Sequence, residues 1–147
     1  MHPHGFRCED LENLSFGDES FDLVITQDVM EHVLDPSVAF AEIGRTLKPN
    51  GAHIFTVPLV NKMQPSQART KRGEDGSIVY LRTPEYHGNP IDPNGSLVCM
   101  DWGYDICEFI FKASGLYTTM IYIDDISRGI RAEYIEVLIS KKAAGQS

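Results

Sequence analysis

Long apolar runs are missing from this chain. None of its 147 residues lies in a stretch approaching the roughly 20 apolar residues that cross a bilayer, so no membrane partner is expected. Cysteine is scarce: Cys8, Cys99 and Cys107 are odd in number and widely spaced. They make neither a disulfide framework nor a zinc ribbon, and they read as reduced thiols. The opening Met1-His2-Pro3-His4-Gly5 lacks the basic patch and apolar stretch of a secretion signal, and the expected location is cytoplasmic. His2 and His4, with Cys8, read as a frayed terminus rather than as metal ligands. Positive charge is in short supply, with 13 Lys and Arg against 21 Asp and Glu for a net charge of −8. An acidic chain repels phosphate backbones, so nucleic acid is not an expected partner. The local exception, Arg69-Thr70-Lys71-Arg72, reads as a solvated loop. No internal repeat and no linker divides the sequence, and its length suits a single domain.

What is present reads as strand, helix, strand. Phe21 to Thr26 (FDLVIT) and Ala52 to Val57 (AHIFTV) are short apolar runs with β-branched members. Such runs suit strands buried on both faces of a parallel sheet. Between them Asp35 can cap a helix, Pro36 suits its first position, and Phe40, Ile43 and Leu47 recur on one helical face. Lys48-Pro49-Asn50-Gly51 supplies a stop and a turn. A helical crossover makes the two strands parallel. From Leu59 to Met100 the pattern breaks down around Pro65, Pro84, Pro90 and Pro93, and only Ile78 to Leu81 suits a short strand. Order returns at Asp101, a plausible cap for a helix with Cys107, Ile110, Phe111 and Ser114 on one face and Gly115 at its end. Trp102 reads as an anchor for that helix. Two strands follow, Thr118 to Ile123 and Glu133 to Ser140. A polar turn joins them without a helix, so they should pair antiparallel.

Taken in order, several short motifs resemble the class I S-adenosylmethionine-dependent methyltransferases, in particular their type 11 branch. These motifs are Cys8-Glu9-Asp10-Leu11, Leu14 to Val24, Asp28-Val29-Met30-Glu31-His32-Val33, Glu42 to Gly51 and Thr56-Val57-Pro58. The resemblance implies an α/β, Rossmann-like sheet closed by a C-terminal antiparallel hairpin that inserts its last strand. It implies S-adenosylmethionine as cofactor and a small-molecule acceptor. Asp10 would accept from the adenine amino group and Leu11 would offer its backbone amide. Thr26, Gln27 and Asp28 would face the methionine end, at the carboxyl edge where open α/β sheets bind ligands. Glu31 and His32 would lie near the sulfonium as candidate general bases, or else would simply pack the turn before Asp35. Tyr86 and His87, late in the 59–100 insertion, would contact the acceptor, although Gly88-Asn89-Pro90 also reads as a plain turn. Asp28-x-x-Glu31-His32 further resembles a metal-binding variant in a few related methyltransferases, which carry glutamate at the position of Asp28. There a further ligand would have to come from the insertion, from His87, and the expectation here is no metal.

One departure is large. The family's glycine-rich loop and ribose-binding acidic residue precede the Asp10 segment, but here only nine residues precede Asp10, and no Gly-x-Gly-x-Gly run occurs. The expectation is therefore an incomplete domain spanning 1–147, with the first two strand–helix units missing and 59–100 as a substrate-side insertion. Each absent charge-assisted bond would weaken cofactor binding by about 1.5–3 kcal/mol. The missing first strand would leave a hydrophobic edge, which implies a homodimer joined there. Three functional readings follow: a crippled or incomplete methyltransferase, a dimeric non-enzymatic binding protein of the same fold, or an assembly in which another chain supplies the loop.

Overall fold

The computed structural model describes residues 7–89 and 92–145. In chain order the elements are β1 (Phe21–Gln27), α1 (Pro36–Thr46), β2 (Leu47–Thr56), β3 (Gln67–Ala68), β4 (Thr70–Arg72), β5 (Ile78–Tyr80), β6 (Tyr86–His87), β7 (Ser96–Leu97), β8 (Met100–Asp101), α2 (Ile106–Ser114), β9 (Tyr117–Tyr122) and β10 (Glu136–Lys141). His2, His4 and Pro90 lie outside the described residues.

The strand–helix–strand reading holds. The Asp35 carboxylate accepts from the amides of Ser37 and Val38, and Pro36 occupies the first turn, where its missing N–H costs nothing. β1 and β2 pair in parallel, with Leu23 opposite Ala52 and Gln27 opposite Thr56. Lys48 to Gly51 is not a turn outside the sheet, as the sequence suggested. β2 begins at Leu47 and absorbs this run as an irregularity, since the pairing jumps from Phe21–Leu47 to Leu23–Ala52. Asn50 takes the left-handed conformation there, with φ of 64°. A Cβ on Gly51 would lie 2.8 Å from the Lys48 carbonyl oxygen and 3.1 Å from that of Phe21, so a side chain at this position would push β1 away.

The C-terminal hairpin inserts as expected. β10 runs antiparallel to β2 on one side and to β9 on the other, giving the order β1-β2-β10-β9. Alternation then sorts side chains by face. Phe55 and Leu138 face a core built with Phe40, Ile43, Trp102, Ile106 and Ile110, all fully or almost fully buried. Both helices contribute to this one core and pack on each other.

The opposite face carries the row Ile25–Ile54–Ile139–Thr119, and no described element covers it. Leu23 is 48% exposed and Ile25 67%. The expectation that β1 is buried on both faces is thus overturned, because α1 and α2 both lie on the other side.

The insertion is more regular than its prolines implied. It forms three two-stranded ladders, β3 with β8, β4 with β5, and β6 with β7. Arg69 to Arg72 is not a solvated loop. Its last three residues form β4, and the Arg69 guanidinium reaches Asp101 at 2.9 Å and Glu85 at 3.0 Å. Asp101 therefore does not cap a helix; it sits buried in β8. α2 starts later, behind Asp105, whose carboxylate accepts from the amide and hydroxyl of Ser66. Its inward stripe is rotated from the one expected: Ile106 and Ile110 are buried and Phe111 is exposed. Trp102, wholly buried, meets Phe109 edge-on at 5.1 Å and so draws the other side of the helix inward. Gly115 ends α2 at φ 72°.

Candidate functional site

The site lies where β1 leaves the sheet. Thr26 shares a 2.9 Å hydrogen bond with His53 Nε2 on the covered face, while Gln27 is exposed. Asp28 follows in the left-handed region, with φ of 51°. Its amide donates to the Thr56 carbonyl, and its carboxylate accepts from the Thr56 hydroxyl at 3.0 Å. A non-glycine residue pinned in that conformation stores strain, a common mark of a ligand-facing turn.

The next residues turn back toward the protein. The His32 amide donates to the Val29 carbonyl, and Met30 is fully buried. The Glu31 carbonyl accepts from the amides of Cys99 and Met100, which fastens the end of the insertion over it. Its carboxylate is 2% exposed, and neither oxygen has a hydrogen-bond donor. Burial pushes this carboxyl above its ordinary range and the Asp28 charge adds to the push, while the neighbouring His32 imidazole opposes it.

Two imidazoles face this carboxylate. His32 Nε2 lies 3.7 Å and His87 Nδ1 4.0 Å from Glu31 Oε1. The rings meet edge-on with centroids 5.2 Å apart. His32 Nδ1 lies 2.8 Å from the Leu97 carbonyl oxygen. A carbonyl only accepts, so Nδ1 carries the proton and Nε2 keeps a free lone pair. Glu31 and His87 line a cleft of about 210 Å³, together with Arg69, Asp101, Met100 and Pro58.

A second segment closes on the same end of the sheet. The Asp10 carbonyl accepts from Asn13, and its carboxylate from the Glu12 amide at 2.9 Å. Asp10 is exposed, and Leu11 packs on the core. Glu12 accepts from the Asp35 amide at 2.9 Å, which ties this turn to the start of α1 and hence to the end of β1. Arg45 holds the following stretch by donating to the carbonyls of Leu14 and Phe16 and to the Asp18 carboxylate.

The structure thus brings Glu31, His32 and His87 together. The Asp10–Leu11 turn is tied to the start of α1 through Glu12 and Asp35, Gln27 and Asp28 lie at the end of β1, and Thr26 turns inward. Tyr86, the residue before His87 in β6, is 51% exposed. Sequence reasoning missed the Leu97 carbonyl, for which no side-chain signal exists. It also missed Arg69, which its basic run had flagged only as surface.

Residues 2–55 match the family model described as a methyltransferase domain. A sequence search of curated proteins finds no match. Solved structures do match. A S-adenosylmethionine-dependent methyltransferase from Methanosarcina mazei superposes with a TM-score of 0.56 at 17% identity, over 95% of this chain and 67% of that one. One from Mesorhizobium loti gives 0.54 at 14%, over 90% and 67%. The 1,6-didemethyltoxoflavin-N1-methyltransferase of Burkholderia thailandensis, solved with S-adenosylhomocysteine, gives 0.53 at 13%, over 90% and 48%. The chain has the class I S-adenosylmethionine-dependent methyltransferase fold. It spans about two thirds of the first two of these structures, and less than half of the third.

Of the residues that the resemblance assigns to a cofactor, those for one end have suitable chemistry. An exposed carboxylate at Asp10, beside a backbone turn, suits an exocyclic amine. The other end is not matched: the sequence holds no Gly-x-Gly-x-Gly run to let backbone approach a ligand closely.

Proposed function

We propose that this chain carries the adenine side and the acceptor side of a methyltransferase site for a small-molecule acceptor, and that by itself it transfers no methyl group. The observation that supports this reading is the Glu31–His32–His87 cluster in the turn that follows β1 and Asp28, with the Asp10 turn tied to the start of α1 through Glu12 and Asp35. His32 is the base in this scheme. Its Nδ1 contact to the Leu97 carbonyl leaves Nε2 free, and imidazole is the commonest general base. Glu31, buried between the two imidazoles, positions the rings. Arg69 and Asp101 form the polar wall opposite and orient the acceptor.

A ligand-observed NMR titration with S-adenosylhomocysteine tests this. The expected result is weak binding, with Kd in the millimolar range, lost in Asp10→Ala. Micromolar binding by the chain alone would refute the incomplete half-site. Undiminished binding in Asp10→Ala would refute the adenine assignment.

A second reading is favoured by the uncovered face and the free edge of β1. In it the chain is a dimeric binding protein of methyltransferase fold, with two copies joined along that edge. Light scattering that returns a monomer at tens of micromolar would remove it.

A further inference from the structure

Glu31 is a buried acceptor that no group of the chain serves. Its side chain is 2% exposed, and among the described residues neither carboxylate oxygen meets a donor. A buried carboxylate normally has a hydrogen-bond donor or a cation beside it. The two neighbouring imidazoles supply neither. His32 carries its proton on Nδ1, where the Leu97 carbonyl accepts it, so Nε2, 3.7 Å from Glu31 Oε1, offers a lone pair and no proton. His87 Nδ1 stands 4.0 Å away, beyond hydrogen-bonding range.

The charges around the cleft that Glu31 lines do not balance. The other two carboxylates on its wall are matched. Arg69 lies 2.9 Å from Asp101 and 3.0 Å from Glu85, and Arg82 lies 3.6 Å from Asp101. Glu31 is the surplus. Arg69 has one unmet group of its own, since among the described residues its buried Nε finds no acceptor. Pro58, Val60, Val98 and Met100 supply the apolar part of the wall. The volume, about 210 Å³, is below the roughly 300–1,000 Å³ of pockets for drug-sized ligands, so the occupant is small.

We propose that this cleft takes a small amine, that Glu31 holds its ammonium group, and that a neutral oxygen of the same molecule, such as an amide carbonyl, accepts from Arg69 Nε. This names the acceptor class of the methyltransferase site proposed above and rests on that reading. An ammonium brings both things the carboxylate lacks, a donor and a positive charge. A hydroxyl brings a donor without the charge, and an ionised acid brings neither. A charged oxygen is disfavoured at Arg69, because two carboxylates already neutralise the guanidinium. His32 keeps its role as base: the proton it takes is one of the ammonium's, and the amine is left neutral with its electron pair.

The test is a ligand-observed NMR titration of the full chain near neutral pH, without S-adenosylhomocysteine. The probes are valinamide, which carries both groups, isovaleramide, which lacks the amine, and isobutylamine, which lacks the amide. Valinamide should bind saturably with Kd in the low millimolar range. Isovaleramide should bind at least about tenfold more weakly, and isobutylamine about threefold. Glu31→Gln keeps the shape of the side chain and should weaken valinamide at least tenfold. Val60→Trp, at an exposed position on the cleft wall, should abolish binding with its circular dichroism unchanged. No saturable binding of valinamide by the folded parent, equal affinity for isovaleramide, or undiminished binding in either variant would overturn the proposal. Equal affinity for isobutylamine would overturn the contact with Arg69. A failed titration with S-adenosylhomocysteine refutes the cofactor half alone and leaves these readouts unmoved.

Discussion

The two faces of the central sheet are made by the same strands and the same alternation, yet they end in different environments. On one face Phe55 and Leu138 are almost wholly buried beneath α1, α2 and Trp102. On the other, Leu23, Ile25 and Ile121 are 48%, 67% and 38% exposed. Hydropathy does not distinguish the two sets, since isoleucine and leucine serve both. The difference comes from where the chain's own helices go. Burial is a property of the second layer, and this chain builds that layer on one side.

Four experiments press on this contrast. The largest effect is expected for Phe55→Ala on the covered face, a loss of about 3–5 kcal/mol in urea unfolding. A loss below 1 kcal/mol would mean that this face is loosely packed.

The next is a pH effect at His53, which burial lowers from its usual 6.5 to about 3. The folded state keeps this imidazole neutral while the unfolded chain takes up a proton below 6.5. Stability is therefore complete above about pH 6.5 and falls toward pH 3, by roughly 1.4 kcal/mol per unit. Glu31, raised by burial, works in the opposite direction: it favours folding below 4.5 and less so above. Comparing the parent with His53→Gln isolates the histidine. The variant should lose about 3 kcal/mol less between pH 6.5 and 4, and parallel curves would refute the assignment.

Asp35→Ala removes the cap of the helix that covers the sheet. It should cost about 1 kcal/mol, read from the thermal midpoint.

The smallest effect is expected on the open face. Ile25→Lys should change folding stability by no more than about 0.5 kcal/mol. It should also lower the mass seen in light scattering if that face joins two copies. A destabilisation above 2 kcal/mol in a monomer would show the face to be covered after all.

Much of the framework was legible in the sequence because its signals are local. The Asp35-Pro36 start of α1, the Gly115 end of α2 and the strand runs around Val24 and Phe55 rest on capping, chirality and hydropathy. Each acts over a few residues. The last helix start was misread because Asp101 and Asp105 are equivalent as sequence. The guanidinium groups of Arg69, 32 residues away, and Arg82 claim the first as an ion-pair partner. Rotation of the inward stripe of α2 was hidden likewise, since it depends on Trp102 meeting Phe109. At the site, Asp10, Asp28, Glu31 and His32 were legible as a resemblance. His87 was legible only as the insertion residue that could join Glu31 and His32; its 4.0 Å approach to Glu31 depends on how β6 and β7 fold back.

By itself the sequence determined the parallel crossover, the antiparallel pairing of the last two strands and the acidic, cysteine-poor character of the chain. These follow from period, turn chemistry and composition, all read along the backbone. Tertiary structure alone decided which sheet face is covered, and how closely a buried carboxylate and two partly exposed imidazoles 55 residues apart approach one another. The physical reason is that both are contacts between distant segments, whose geometry is set by packing and left unrecorded in any local run of residues.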